Sequence, residues 1–281
     1  MSKTSEHLCK ICNHQTFIAF YATILHTYEE AFYKCPQCGF LSVGNAHWLK
    51  QSYAQAINIT DTGLVARNLY LYKIASVVAY FFNAHKAATF MGGGAISLPI
   101  VLDIGGGTGL LTRLLRDVGF EAQWSDEYCD NIFAQGFTYD NKQDKQIALA
   151  TCFEVFEHLP DPLHQIESML DICPNILFST ELLPCDVPQS NGENTWWYYG
   201  FEHGQHISFY TKQSLQFIAK KRKLFLHSCG SIHLLSTKRI PLFALLIKIA
   251  HRGLFTIIQK QLQSKTFSDS IMLQALANQR S

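Results

Sequence analysis

The stretch from Ile100 to Arg116 most constrains the fold, because it joins an apolar run to a helical pattern through glycines. Ile100 to Ile104 is typical of a buried parallel strand, and the leucines from position 110 onward have helical spacing. Between them lie Gly105, Gly107 and Gly109. Glycines let a ligand approach the backbone, and a helix N-terminus presents free N–H groups. The stretch therefore predicts a turn that binds a nucleotide-like ligand with an anionic end.

The spacing of these glycines excludes two common nucleotide-binding motifs. The third glycine of the NAD fingerprint would fall at position 110, which is Leu110, and no Gly-Lys-Ser/Thr follows as in a phosphate loop. A second strand is predicted from Glu121 to Trp124, and Asp126 follows it. A carboxylate at the tip of the neighbouring strand is where a ribose diol would be bound.

A second motif completes a family pattern. A strand from Gln146 onward runs into an acidic turn and a proline-marked helix start, Phe153-Glu-Val-Phe-Glu-His-Leu-Pro-Asp-Pro162. Together with Asp103-Ile-Gly-Gly-Gly-Thr-Gly109, it resembles the class I S-adenosylmethionine-dependent methyltransferases, over roughly residues 96 to 236. The resemblance implies an α/β fold with a Rossmann-like seven-stranded sheet, flanking helices and S-adenosylmethionine as cofactor.

The resemblance also implies roles for single residues. The glycine turn would pass beneath the methionine part of the cofactor, Asp103 would orient its ammonium, and Asp126 would hold the ribose hydroxyls. Glu154 and its neighbours would form the floor on which donor and acceptor meet. The implied cofactor residues are Asp103, Gly105, Gly106, Gly107, Gly109, Asp126, Phe153 and Glu154.

Three residues are candidates for catalysis. Many methyltransferases of this type have a His-x-x-Phe segment before a late helix, and His206-Ile-Ser-Phe209 is similar to it. His206 is therefore the first candidate, His203 the second, and Glu154 is added from the acidic turn. A lone histidine is more often structural than catalytic. In the preceding loop, Trp196 to Phe201 predicts either a stacking wall for the acceptor or a loop anchored by its own rings.

Four cysteines near the N-terminus indicate a metal site. Cys9-x-x-Cys12 and Cys35-x-x-Cys38 are two knuckles with 22 residues between them, and each knuckle places two thiolates on one tight turn. Two such turns complete a tetrahedral site for Zn²⁺, and four protein ligands leave no open position. We therefore expect a structural zinc ribbon, with four buried cysteines as the alternative.

The motifs divide the chain into four expected segments. A helical pattern from Asp61 predicts a linker or lid that follows the ribbon, and Met91 to Gly94 predicts a flexible joint before the core strand. The expected segments are a zinc-ribbon-like module at 1–50, the helical linker or lid at 51–95, the methyltransferase domain at 96–237 and a C-terminal helical cap at 238–281.

Composition and charge limit the cellular locations and the kinds of partner that the chain can have. With 48% hydrophobic and 16% charged residues, the chain can form a sizeable core, and its net charge of +1 gives no attraction to a polyanion. The longest apolar region, 240–258, is interrupted by Lys248, His251 and Arg252, so no membrane span is expected. The first residues lack the apolar core of a signal peptide. These features predict a cytoplasmic protein.

Three functions are consistent with these patterns. The first is methylation of a small molecule at a hydroxyl or carbon, possibly of a saccharide, because a four-cysteine module ahead of this core resembles sugar-modifying methyltransferases. The second is RNA methylation, but the ribbon segment from 9 to 38 holds only Lys10 and Lys34 as strong cations, balanced by Glu29 and Glu30. The third is a non-catalytic binding protein, against which the intact glycines and motif acids count.

Overall fold

The computed structural model describes residues 7–53, 61–87, 100–141 and 146–279, and the chain divides into two compact units. Each unit is assembled from segments that are far apart in sequence. The first unit comprises Met1–Ile59, Phe153–Pro174 and Phe178–Arg239, and the second comprises Thr60–Cys152, Asn175–Leu177 and Ile240–Ser281. The predicted joint at 91–94 lies outside the described residues, and the predicted four-segment division stays a prediction.

The described elements follow one another along the chain as strands, helices and a few short turns. They are β1 (Phe17–Ile24), β2 (Tyr28–Lys34), β3 (Leu41–Val43), α1 (Leu49–Ser52), α2 (Leu64–Ala87), β4 (Ile100–Ile104), α3 (Leu110–Val118), β5 (Ala122–Ser125), β6 (Ile147–Cys152), α4 (Pro162–Ile172), β7 (Ile176–Ser179), β8 (Ser208–Phe209), α5 (Lys212–Lys221), β9 (Phe225–Cys229), β10 (Ile232–Ser236), α6 (Phe243–Ile249), α7 (Phe255–Gln259) and α8 (Thr266–Asn278). Single helical turns lie at Phe156–His158 and Trp197–Tyr199. None of the helices among the described residues is long and apolar enough to cross a membrane.

The larger sheet has the strand order β5-β4-β6-β7-β10-β9. Strand β4 pairs in parallel with β5 and β6, while β10 and β9 form an antiparallel hairpin. This arrangement confirms the predicted α/β, Rossmann-like fold class. The described residues form six strands in this sheet, where seven were expected. After β5 the chain continues as a loop that pairs with Trp124 through a single bridge at Thr138.

Helix α3 forms directly behind strand β4 because its sequence supplies an apolar face and two glycine boundaries. Leu111, Leu115 and Val118 are buried at helical spacing, which covers the core side of the helix. The helix ends at Gly119, whose φ of 122° suits glycine. A Cβ atom there would come within 2.6 Å of the Gln263 carbonyl oxygen, so the following turn packs closely on this backbone.

The first unit contains a smaller, four-stranded sheet with the order β1-β2-β3-β8. Its last strand comes from much later in the sequence, so the N-terminal ribbon completes its sheet with residues 208–209. Thr211 then begins α5 with a capping box, and its hydroxyl also donates to the Cys38 carbonyl at 2.6 Å. The ribbon and the segment before α5 therefore form one packed structure.

A buried ion pair joins α3 to α8 within the second unit. The Arg116 guanidinium donates to both carboxylate oxygens of Asp269 at 2.8 and 2.7 Å, and both side chains are almost fully buried. Arg113 also approaches Asp269, at 2.9 Å. Removing one member of such a pair leaves a buried charge without its main partner, and this costs more than the pair itself contributes.

We predict that Arg116→Met lowers the free energy of unfolding by about 3 kcal/mol, because the Asp269 carboxylate stays buried. The double variant Arg116→Met, Asp269→Leu should recover most of that loss. Chemical denaturation measures both. As the control, Lys221→Met removes a partly exposed ion pair with Glu167 and should cost only about 0–1 kcal/mol. If Arg116→Met and Lys221→Met lowered the free energy of unfolding equally, the Arg116–Asp269 pair would not act as a buried ion pair.

Candidate functional site

The glycine turn lies in the second unit, between β4 and α3. Gly105, Gly107 and Gly109 have φ values of 68°, 54° and 83°, in the left-handed region that favours glycine. A Cβ atom at Gly107 would meet no atom within 4 Å, whereas one at Gly106 would lie 2.7 Å from both the Asp103 carboxylate and the Trp124 ring. The turn is therefore tightly packed at Gly106 and open at Gly107, where a ligand could lie against the backbone.

The carboxylate of Asp103 is buried beneath this turn. Its two oxygens accept hydrogen bonds from the hydroxyls of Thr112 at 3.1 Å and Thr151 at 2.9 Å. Burial raises the pKa of Asp103 to about 7. The geometry makes Asp103 a residue that positions the turn, and its expected contact with the cofactor's ammonium stays a prediction.

Asp126 lies at the end of β5 and contacts the glycine turn. One carboxylate oxygen accepts the Gly107 N–H at 2.8 Å, and the other accepts the N–H groups of Tyr128 and Cys129 at 2.7 and 2.9 Å. An ionised carboxylate offers about four acceptor positions, so one remains for a ligand hydroxyl. The structure thus brings together the glycine turn, Asp103 and Asp126 from widely separated positions.

Glu154 and Phe153 belong to the first unit, directly after β6. Phe153 is buried, whereas Glu154 is exposed and has a φ of 56°, which is rare for a residue other than glycine. The Ser179 hydroxyl holds this conformation, because it accepts the Glu154 N–H at 2.8 Å and donates to the Glu154 carboxylate at 2.6 Å. Backbone strain of this kind concentrates at functional sites.

His206 lies in a cluster of three histidines in the same unit. Its ring centre is 5.0 Å from that of His158 and 4.8 Å from that of His203. The Nδ1 atom of His206 lies 2.6 Å from the Tyr198 carbonyl oxygen, which can only accept, so Nδ1 carries the proton and Nε2 is left as an acceptor. Burial lowers the pKa of His206 to about 4, and the ring is therefore neutral at pH 7.

Two residues of this cluster were missed from the sequence. Glu157 and His158 lie in the acidic turn after β6 and were not among the site residues predicted from the sequence. The Glu157 carboxylate is fully buried, and neither oxygen has a partner at hydrogen-bond geometry among the described residues. Burial raises the pKa of Glu157 to about 8 and keeps that of His158 well below its ordinary value. The available signal was their position after a parallel strand, where α/β sheets bind ligands.

The aromatic loop is anchored by its own rings. Tyr198 and Tyr199 are buried in a core that also contains residues of β2, β3 and β8, and Trp196 and Phe201 pack against it. Trp197, by contrast, is 73% exposed. The structure therefore favours the interpretation that the loop is anchored by its own rings. Of the predicted stacking wall, only the exposed ring of Trp197 is available to an acceptor.

The four N-terminal cysteines lie together in the first unit, as their spacing predicts. All four sulfur atoms lie within 4.8 Å of one another, with separations of 3.5 Å between Cys9 and Cys38 and 3.4 Å between Cys12 and Cys35. A zinc ion bound at about 2.3 Å by four thiolates places them about 3.8 Å apart, so the cluster fits Zn²⁺. The N–H groups of Ile11 and Cys38 also point to cysteine sulfurs at 3.4 Å.

Comparison with known proteins identifies a family. A family model described as "Methyltransferase domain" matches residues 67–226, which is more than half of the chain. No curated protein matches the chain in sequence.

Solved structures with a similar arrangement are distant in sequence. Magnesium protoporphyrin IX methyltransferase from Synechocystis PCC 6803, solved with S-adenosylmethionine, is 12% identical with a TM-score of 0.38; the match covers 68% of this chain and 93% of that one. The plantazolicin methyltransferase BpumL is 14% identical with a TM-score of 0.38, and the match covers 76% of this chain and 91% of that one. TnmH is 14% identical with a TM-score of 0.36. The match covers 68% of this chain but only 63% of the length of TnmH. Likeness at this level assigns no acceptor.

We predict that the purified protein contains at least one equivalent of zinc per chain, because the four thiolates form a closed site. Elemental analysis of Cys9→Ser should show one equivalent less than the wild type. Cys185 is exposed and lies outside the cluster, so Cys185→Ser is the matched control and should change nothing. Less than about half an equivalent in the wild type would exclude the closed site.

Proposed function

This chain belongs to the methyltransferase-domain family, which confirms the predicted enzyme class, and we propose that it transfers a methyl group from S-adenosylmethionine to a small molecule. The observation that carries the proposal is the contact between the Asp126 carboxylate and the Gly107 N–H. It places a hydrogen-bond acceptor beside an open stretch of backbone, as a ribose next to an extended ligand requires.

The chain's own residues would divide the work of cofactor binding. The open face at Gly107 would lie against the cofactor, and the remaining acceptor position of Asp126 would take a ribose hydroxyl. Asp103, held by Thr112 and Thr151, would keep the turn in place from below. The sulfonium supplies an electrophilic methyl group, so the protein's main contribution is alignment, worth up to ~7–11 kcal/mol.

The charge of the ribbon supports a small-molecule acceptor over RNA. Of its two strong cations, Lys34 is buried, and its ammonium donates to the carbonyl oxygens of Gly39 and Asp186. Within residues 9–38, only Lys10 is then left to contact a phosphate, whereas nucleic-acid binding relies on several cations along one surface. We favour a hydroxyl or carbon acceptor, possibly on a saccharide, with Trp197 as an exposed ring to stack on it.

Proton removal from a hydroxyl acceptor is proposed for His206. Its Nδ1–H is fixed by the Tyr198 carbonyl, and its Nε2 is therefore free of a proton and able to accept one. His203 is the second candidate, but its Nδ1 accepts the Gln205 N–H at 3.2 Å, which turns that nitrogen toward its own loop. Glu154, held by Ser179, is proposed to contact the reacting groups through its exposed carboxylate.

The proposal also includes a structural zinc ion and a cytoplasmic location. The four cysteines would hold a structural Zn²⁺, since four protein ligands leave no position for a substrate. A cytoplasmic location is supported by the cysteines, because none of the nine forms a disulfide in the described parts of the chain.

The acceptor class can be tested directly with cofactor carrying a labelled methyl group. Saccharide, phenolic and RNA acceptors are incubated with the protein, and label is expected in a small molecule. Label that appears only in RNA would overturn the acceptor assignment, while the family assignment would stand.

We predict that Gly107→Val nearly abolishes cofactor binding, because its side chain would fill the open space at the turn. Asp126→Ala should weaken binding about ten- to a hundredfold by removing charge-assisted hydrogen bonds. Calorimetric titration measures both. Gly230→Val is the control for backbone strain, because Gly230 has a φ of 60° and similar open space, and Asp130→Ala is the control for charge. Wild-type affinity in both test variants would place the cofactor elsewhere.

We predict that His206→Ala lowers turnover at least roughly a hundredfold with a hydroxyl acceptor, on the order of a general-base contribution, and leaves cofactor affinity nearly unchanged. Steady-state kinetics and cofactor titration of the same sample separate the two effects. The control His164→Ala removes an exposed imidazole on α4 and should keep wild-type turnover. Turnover of His206→Ala within a few-fold of the wild type would make His206 a structural residue.

A further inference from the structure

We propose a second metal site in the first unit, formed by Glu157, His158 and His206, which binds a divalent first-row transition ion. None of these residues belongs to the four-cysteine cluster. Each of the three offers one ligand atom, and these atoms lie within 4.8 Å of one another. Two ligand atoms that bind one ion at about 2.1 Å in tetrahedral geometry are about 3.4 Å apart, so side-chain rotations that bring these atoms closer by up to about 1.4 Å would complete the site.

The first independent support is the isolation of the Glu157 carboxylate. Its side chain is fully buried, neither oxygen has a partner at hydrogen-bond geometry among the described residues, and the Tyr198 hydroxyl is a polar group close to it. A buried polar group without a partner is costly, and proteins rarely retain one unless a ligand or ion satisfies it. A cation between Glu157 and the two imidazoles would supply the missing partner of the carboxylate.

The second support is that the far side of each imidazole is already held. Nδ1 of His206 donates to the Tyr198 carbonyl at 2.6 Å, and Nδ1 of His158 lies 2.8 Å from the Tyr53 hydroxyl. Both contacts leave Nε2 for a ligand. Histidines that bind metals are almost always oriented by such a partner on the other ring nitrogen. His203 lacks this arrangement, since its Nδ1 accepts a backbone N–H.

The ligand set defines the class of ion. Two imidazoles and one carboxylate suit Zn²⁺, Co²⁺ or Fe²⁺, whereas Ca²⁺ and Mg²⁺ prefer oxygen ligands alone. Three protein ligands leave at least one open position, in contrast to the closed four-thiolate site. In a role that rests on the proposed function, an acceptor oxygen would occupy that position and be polarised by the ion. His206 would be the base in the protein without this ion and a ligand in the protein that holds it, and His206→Ala should lower turnover in both cases.

Cobalt binding tests the site without any assay of activity. The protein is dialysed briefly against a chelator and titrated with Co²⁺, and bound zinc and cobalt are counted together. The wild type should hold two ions per chain at saturation. The second ion should give the visible absorption of nitrogen and oxygen ligation, without the sulfur charge-transfer bands of a thiolate site.

Matched variants locate the second ion. Glu157→Gln keeps the shape of the side chain and should lower Co²⁺ affinity at least tenfold, as should His158→Gln. The control His164→Ala removes an exposed imidazole that is not in the cluster and should bind as the wild type does. Thermal unfolding of each variant identifies any that fails to fold. If one ligand variant does not fold, the Co²⁺ affinity of the other ligand variant decides whether the site exists.

Two results would overturn the site: a single ion per chain at saturation, or unchanged Co²⁺ affinity in both ligand variants. Cofactor titration of the same samples keeps this separate from the proposed function. Normal cofactor binding and methyl transfer with only one ion would exclude the second site alone. Two ions without cofactor binding would exclude the proposed function alone.

Discussion

The turn between β4 and α3 depends on one buried carboxylate. Asp103 accepts hydrogen bonds from Thr112 on α3 and Thr151 on β6, so a single side chain connects the helix after the turn to the neighbouring strand. Because Gly106 lies directly against it, the backbone can follow only a path without a side chain at that position. The left-handed glycines on either side then leave the outer face open. The proposed cofactor-binding surface of the second unit follows from this one anchoring interaction.

The first unit depends on a different constraint, the early cysteine knuckles. The four sulfur atoms bring the ends of the ribbon together, and the Thr211 hydroxyl bonds to the Cys38 carbonyl at the start of α5. Strand β8 lies just before that cap and pairs with β3. His206 is therefore held in a short segment whose position is fixed by the ribbon. A structural metal would thus act on the chemistry through packing rather than through contact.

The two units use polar burial in opposite ways. Asp103 is buried with hydrogen-bond donors for both of its oxygens, so it stabilises a local structure. Glu157 is buried with no donor at hydrogen-bond geometry among the described residues, beside two imidazoles whose Nδ1 atoms already contact other groups. The first arrangement is complete, whereas the second requires a further partner. This contrast distinguishes a positioning carboxylate from one that is available for an ion or a proton.

The sequence alone determined the features that depend on local spacing. The glycine turn, the knuckles and the acidic motif after β6 indicated the family, the fold class and the grouping of the four cysteines, because each pattern is contained in a few consecutive residues. Tertiary structure decided what depends on distant partners. The sheet has six described strands instead of seven, since a strand exists only where another strand pairs with it. Tyr198 and Tyr199 anchor their loop because the ribbon and β8 cover them. The sequence placed Glu157 and His158 in an acidic turn, and only packing against residues far along the chain buried the carboxylate and placed it beside His206.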